Sequence, residues 1–181
     1  MGIRTFIFRS LKDYTKTKRL GEICSITTGK LDANAMDDKG KYPFFTCAEE
    51  VYKINMFAFD TEALLISGNG ANLGYIHYYK GKFNAYQRTY ILDGFKENIQ
   101  YIRSYLETFL HKRIMLEKST SNTPYIVLST LSDMPILLPE IEVQKYISNV
   151  MNVLKKKLDI QMRLLINYEM QKQYLLRQMF I

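Results

Sequence analysis

From residue 140 to residue 180 the chain contains no glycine and no proline. Over that stretch Ile147, Val150, Met151, Leu154, Leu158, Met162, Leu165, Tyr168, Leu175 and Met179 recur at spacings of mostly three or four, which predicts one unbroken helix. At about 1.5 Å per residue it is a rod about 60 Å long. A rod with one apolar face does not stay alone in water, and without a breaker it cannot fold back on itself. It therefore needs a second helix, and Ile147, Val150, Leu154, Leu158, Leu165, Tyr168 and Leu175 are the candidate dimerisation residues. A second apolar line, Ile160, Leu164 and Ile166, adds another packing face.

All nine glycines and four prolines lie at or before Pro139. Residues 20–139 are accordingly read as a compact domain of short elements. Dense β-branched and aromatic residues predict strands at Glu22–Thr27, Tyr42–Thr46, Ala63–Ile66, Gly74–Tyr79 and Arg88–Leu92. Asp37-Asp38-Lys39-Gly40 and Lys80-Gly81 read as turns. One segment changes period: Ile102, Tyr105, Leu106, Phe109 and Ile114 predict an amphipathic helix over Asn98–Leu116. Residues 1–19, carrying Arg4, Arg9, Lys12, Lys16, Lys18 and Arg19, read as a basic arm or short helix. The expected fold class is α+β: a small mixed domain with a short-stranded sheet, followed by a long coiled-coil helix over residues 140–181.

The charge narrows the partner. Lysine and arginine exceed aspartate and glutamate by seven, which favours nucleic acid or an anionic membrane surface. No apolar run reaches the roughly 18 residues of a membrane span, and the start lacks a signal-peptide pattern. Cys24 and Cys47 have no close spacing and no histidine company, so they read as free thiols in a reducing compartment. The expectation is a soluble, cytoplasmic protein.

Catalytic signatures are missing. There is no Pro-Pro for the tetrapeptide with which an adenine methyltransferase holds a flipped base, and no phosphate-binding G-x-x-x-x-G-K-[ST]. His77 and His111 are far apart, so no metal is expected. The run Ser67-Gly68-Asn69-Gly70-Ala71-Asn72-Leu73-Gly74 departs from a dinucleotide fingerprint and leads into a strand-like segment instead of a helix. It reads as a strand-to-strand loop, with no cofactor.

What remains is a set of side chains suited to duplex DNA. Asn69 and Asn72 have amides that bond both edges of adenine. Lys80, Lys82, Asn84, Tyr86, Gln87 and Arg88 fall within nine residues and mix phosphate-neutralising with base-reading groups. A solvated hairpin is the plainer account of the same run. Lys118, Ser119, Thr120, Ser121 and Asn122 form a polar loop, either a connector or a phosphate contact. Lys30 and Lys41 complete the candidates, and Lys155-Lys156-Lys157 is a solvated helix face or a further phosphate contact.

Several motifs together resemble the DNA-specificity subunits of Type I restriction–modification systems. Leu20-Gly21-Glu22-Ile23 with Ile26 and Gly29 resembles the opening of their recognition domain, and Tyr42-Pro43-Phe44 the strand after it. Leu64-Leu65-Ile66-Ser67-Gly68 through Gly74 is similar to the central strand and its glycine-bearing loop. Leu131 to Pro139, running into Ile141-Glu142-Val143-Gln144-Lys145 and Ile147, resembles the junction with the conserved helix. Lys172, Leu175, Leu176 and Gln178-Met179-Phe180 are similar to the helix end. The resemblance implies a small α/β domain that reads part of a split target and a helix that spaces two such domains. It also implies docking of methyltransferase subunits, and restriction subunits through them, on a chain without a catalytic centre. Family members usually carry two recognition domains and two helices, and this chain has one of each. Lys155 also stands where an acidic residue is common. The expected partners are therefore double-stranded DNA, modification subunits and a second copy paired antiparallel, with an interrupted palindrome as target. A nucleotide- or metal-dependent DNA-modifying enzyme, and a coiled-coil adaptor for RNA or protein, are the other readings.

Overall fold

The change of sequence pattern at Pro139 is also a change of architecture. The computed structural model describes residues 2–11, 15–116 and 125–179. In chain order the elements are α1 (Ile3–Ser10), β1 (Lys16–Arg19), α2 (Leu20–Ile23), β2 (Ser25–Thr28), β3 (Tyr42–Phe45), β4 (Tyr52–Ile54) and β5 (Phe59–Ser67). There follow β6 (Ile76–Ala85), β7 (Thr89–Asp93), α3 (Ile99–Leu116), α4 (Leu128–Ser132), β8 (Pro135–Leu138) and α5 (Ile141–Met179). Six strands form one sheet in the order β2-β7-β5-β6-β3-β4, and β1 pairs with β8 in a separate two-stranded ribbon. Every pairing is antiparallel except β3 with β6. The α+β class and the long terminal helix are both present.

Strand β5 explains why a run as apolar as Ala63-Leu64-Leu65-Ile66 is tolerated. Successive side chains point to opposite faces of a strand. Leu64 and Ile66 join a core formed with Leu92, Ile76 and the buried face of α3. Ala63 and Leu65 join a second core with Phe45, Phe83, Ala85 and Ile91. Both faces are covered, so the run is continuous instead of alternating. The chain leaving β2 crosses to the end of β6, where Leu31 bridges to Tyr86. Gly29 makes that crossing possible: a Cβ there would lie 2.0 Å from the Ala85 carbonyl oxygen.

Two sequence expectations are corrected. Glu22–Thr27 is not one strand. Leu20 and Ile23 are both fully buried at a spacing of three, and the Glu22 carboxylate accepts the Arg19 backbone N–H at 2.8 Å, closing the turn α2 before β2 begins. Lys80-Gly81 is not a turn. It lies inside β6, where Gly81 pairs with Thr61 and adopts φ +128, letting the strand bend without ending. The helix expected over Asn98–Leu116 is α3, with the Asn98 side chain accepting the Tyr101 N–H at 2.9 Å.

The N-terminal helix α1 is anchored by Phe8, which is fully buried. Its ring meets Tyr101, Tyr105 and Phe109 of α3 edge-on, at 5.6, 5.1 and 5.8 Å. Helix α5 begins on the body and leaves it. Gln144, Ile147, Ser148 and Met151 are buried, and every residue from Lys156 to Met179 is exposed. Among the described residues no helix is long and apolar enough to cross a membrane.

Replacing Phe8 with alanine removes a ring from this aromatic cluster and leaves a cavity. We expect a loss of about 3–5 kcal/mol in urea unfolding. An unchanged midpoint would mean that α1 does not pack on α3.

Candidate nucleic-acid interface

The loop Gly68–Gly74 and the turn Tyr86–Arg88 are distant in sequence and adjacent in space. The Gly68 N–H donates to the Arg88 carbonyl at 2.9 Å, and the Cys47 thiol donates to the same oxygen at 3.4 Å. A Cβ on Gly68 would lie 2.4 Å from that oxygen, so only glycine allows the approach. The Tyr86 N–H donates to Phe45 O and the Gln87 N–H to Leu31 O, both at 2.9 Å. The turn's backbone is thus held from three directions, while the side chains of Gln87 and Arg88 are exposed and Tyr86 is half-buried. Lys30, next to Leu31, brings an exposed cation to the same place.

The glycine-bearing loop is itself constrained. It joins β5 to β6, with the Gly74 N–H donating to Ser67 O at 2.8 Å and the Ser67 N–H to Tyr75 O at 3.0 Å. Gly70 and Gly74 have φ of +80 and +83. Asn69 is half-buried and bridges to Tyr125. Asn72 is half-buried, and its amide donates to Cys47 O at 3.2 Å, which ties the loop to the segment after β3.

Other candidates sit apart from this cluster. Lys80 is exposed on β6, and its ammonium pairs with Glu62 at 3.3 Å. The Tyr78 hydroxyl donates to the same carboxylate at 2.7 Å. That bond, with Lys80, holds Glu62 below the usual carboxylate range, and donating to Glu62 raises Tyr78 above its own. Because the folded Glu62 is shifted down, the bridge persists at neutral pH and lapses only as pH falls below the ordinary carboxylate range. Lys82 is exposed opposite Asp60, with its ammonium 4.7 Å from the centre of the Phe57 ring. Phe57 contacts Tyr42, which places Lys41 in the same neighbourhood. Among the described residues Lys30, Lys41, Lys82 and Arg88 form no ion pair.

Asn84 is corrected as a reader: it is 5% exposed, its amide donates to Met56 O and its oxygen accepts the Ala85 N–H. It shares a strand face with Lys80 and Lys82, and what buries it is the pairing of β6 with β3 and the segment at Met56, which residue type alone does not report. Lys118, Ser119, Thr120, Ser121 and Asn122 lie outside the described residues. The segment Cys47–Ala48, just past the strand expected over Tyr42–Thr46, carries no sequence cue to a role at the turn. It holds the turn through Cys47 and accepts a bond from the His77 ring through Ala48 O at 3.0 Å, and its small neutral residues gave no signal. Of the dimerisation candidates, Ile147 belongs to the domain's own core, Val150 and Leu154 are half-buried, and Leu158, Leu165, Tyr168 and Leu175 are exposed.

A family model, the Type I restriction modification DNA specificity domain, matches residues 12–167. The chain belongs to that family. It is 43% identical over 139 residues to the specificity subunit of the Type I restriction enzyme EcoDI of Escherichia coli. The match covers 77% of this chain and 31% of that relative, so the chain spans about a third of the relative's length. The fold resembles the Type I restriction–modification S subunit of M. genitalium, with TM-score 0.68, 18% identity and coverage of 86% of this chain and 42% of that one. It also resembles the HsdS subunit of Thermoanaerobacter tengcongensis, with TM-score 0.62, 18% identity and coverage of 81% and 39%. This member of the specificity family therefore spans less than half the length of each of these subunits.

The two thiols give a test of the loop geometry. Burial, with Asp93 adding to it, pushes the Cys24 thiol up to about 12, and it donates inward to Leu20 O at 3.4 Å. Cys47 is half-buried beside Arg88. We expect iodoacetamide at pH 8 to label Cys47 and leave Cys24 untouched in the folded protein, as read by mass spectrometry of the digest. Equal labelling of both would contradict the packing of α2.

Proposed function

We propose that this chain is a non-catalytic DNA-reading unit of a Type I restriction–modification complex, reading half of a bipartite target. The observation that carries the reading is the Tyr86–Arg88 turn. Its backbone is clamped by Gly68, Cys47, Phe45 and Leu31 while Gln87 and Arg88 project into solvent. Base readout needs side chains with bidentate hydrogen-bonding ends on a backbone that does not move, and this turn supplies both. The family's description as a DNA specificity domain supports the same assignment.

In this reading Arg88 and Gln87 contact base edges, with Tyr86 and Asn69 beside them. Lys30, Lys41 and Lys82 hold the phosphates, since a cation without an acidic partner loses least on meeting DNA. Lys80 contributes less because Glu62 already neutralises it. Asn72 supports the loop instead of reading a base. The segment 118–122 is a further contact on sequence grounds. Residues 20–139 serve as the recognition domain, and α5 pairs two copies and docks methyltransferase subunits, which in turn carry restriction subunits. No cofactor is involved.

Selection of a random duplex pool by the purified chain tests the reading, with an interrupted palindrome as the expected product. Recovery of no preferred sequence, or methyl transfer or cleavage by the chain alone, would sink it. Arg88→Ala should cost about 1–3 kcal/mol of binding and relax one target position. Lys82→Ala should weaken all sequences alike and lower the salt slope by about one.

The pairing has its own test. Leu158 and Leu165 are 54% and 59% exposed on a helix that has left the body. Replacing both with aspartate would bury charges without partners. We expect monomers by light scattering and much weaker DNA binding. Unchanged mass in the double variant would remove this face from the interface.

A further inference from the structure

We infer that the second copy lies antiparallel on the first in a single register, set by two polar layers in which Gln161 of each copy faces Lys172 of the other. The inference rests on the pairing proposed above, with the antiparallel direction the family resemblance implies, and adds its register.

The seam itself is visible in the structure. On the body, α5 turns Ile147 and Met151 into the core, with Leu154 half-buried beside them. The same face continues past the body as Leu158, Gln161, Leu165, Tyr168, Lys172 and Leu175, in steps of alternately three and four residues. That is the repeat of a two-helix seam. Its apolar members are 54–59% exposed here, so the face that packs against the domain simply runs on uncovered. A partner helix in the same geometry prolongs an interface the chain already makes with itself.

Charge agrees with the antiparallel direction that the family resemblance implies. A parallel, in-register pair would place Lys172 against Lys172 in the seam. Like charges facing each other across a seam are costly. An antiparallel pair brings different residues together, and registers that keep the seam matched differ by whole repeats. In one of them Leu158 faces Leu175, Gln161 faces Lys172 and Leu165 faces Tyr168 of the second copy. Every apolar residue then meets an apolar one. The two polar residues meet each other, and the lysine ammonium donates to the glutamine carbonyl oxygen. Sliding by one repeat in either direction sets Gln161 against Leu165 or Met179, and Lys172 against Leu154 or Tyr168. Each slip sets the Gln161 amide against an apolar side chain and leaves it without a partner at the seam, which is how a polar seam residue selects register.

The register also fixes a length. The last residue tying α5 to the body is Lys155, whose ammonium is 3.6 Å from Glu107. In the inferred pairing Lys155 lies level with Gln178 of the second copy. The two exit points are then separated by the stretch from Lys155 to Gln178, about 34 Å along the rod at about 1.5 Å per residue. One turn of B-DNA is about 34–36 Å, so two identical domains would meet the same face of a duplex one turn apart.

The test exchanges the pair. Gln161→Lys alone sets lysine against lysine twice in each dimer, and the dimer dissociation constant measured by sedimentation should rise on the order of tenfold or more. Adding Lys172→Gln restores the same pairing with the partners exchanged, and the constant should return to near the parent value. As a second readout, chains bearing Leu158→Cys and chains bearing Leu175→Cys, mixed and oxidised, should cross-link, while neither alone does. A parent chain that is monomeric at tens of micromolar overturns the pairing itself. A dimeric parent in which Lys172→Gln gives no rescue, or in which the mixed cysteines do not cross-link, overturns the register and leaves the pairing standing.

Discussion

The side-chain amide of Gln144 is the joint on which the molecule's geometry depends. It is 1% exposed, in the first turn of α5. Its oxygen accepts the Asn98 N–H at 3.0 Å, and its nitrogen donates to Glu97 at 2.8 Å and to Pro139 O at 2.9 Å. The start of the rod is thereby bonded to the start of α3, and Asn98 in turn caps α3 through the Tyr101 N–H. A buried amide with its partners satisfied is directional in a way that apolar packing is not, because its bonds fail when either helix rotates. A second tie lies about three turns further along α5. Glu107 of α3 meets Arg4 of α1 and Arg103 at 3.0 Å each and Lys155 of α5 at 3.6 Å. This joins all three long helices at one carboxylate. It also gives Lys155 a role that suits a cation.

A fixed rod is useful only if the proposed reading surface is fixed to the same body. Strand β5 provides that link. Its Leu64 and Ile66 pack toward the helices, and its Ala63 and Leu65 pack toward the inner core. Its end at Ser67 opens the glycine loop that grips Arg88. A shift of one residue in β5 would exchange the two cores and move the clamp, so the register of this strand is held from both sides.

The parts legible in the sequence were those with a long period or a repeated cue. The rod, α3 and the middle of β5 each carried several residues agreeing on one pattern. The failures were local. Leu20 and Ile23 fit a strand's composition but are three apart, which suits a single helical turn as well. Strand β1 reads Lys-Thr-Lys-Arg and is exposed throughout, so no alternation marked it. Gly81 signalled a turn because glycine most often does, although here it bends a long strand. In the candidate site, the density of polar residues from Lys80 to Arg88 was visible, and their directions were not. Lys80, Lys82 and Asn84 share one face of β6, but Asn84 lies where the strand pairs with β3 and is covered and bonded to Met56 O, whereas Lys82 stays exposed and Lys80 meets Glu62. The clamp on Arg88 is built from main-chain groups of Gly68 and the thiol of Cys47, and composition does not report main-chain contacts between residues twenty apart.

That clamp has a consequence for how such a surface accommodates change. The bonds holding the Tyr86–Arg88 turn run from backbone N–H groups and to backbone carbonyls, apart from the Cys47 thiol. They do not depend on which side chains Gln87 and Arg88 carry. The requirement for small size falls on Gly68 and Gly29, where a Cβ would collide with the backbone. The exposed positions are therefore free to differ without cost to the fold, and the glycines are not. In the proposed reading a scaffold divided in this way separates stability from readout: substitution at the tip would alter what is recognised, while the sheet, the joint at Gln144 and the spacing along α5 remain as they are.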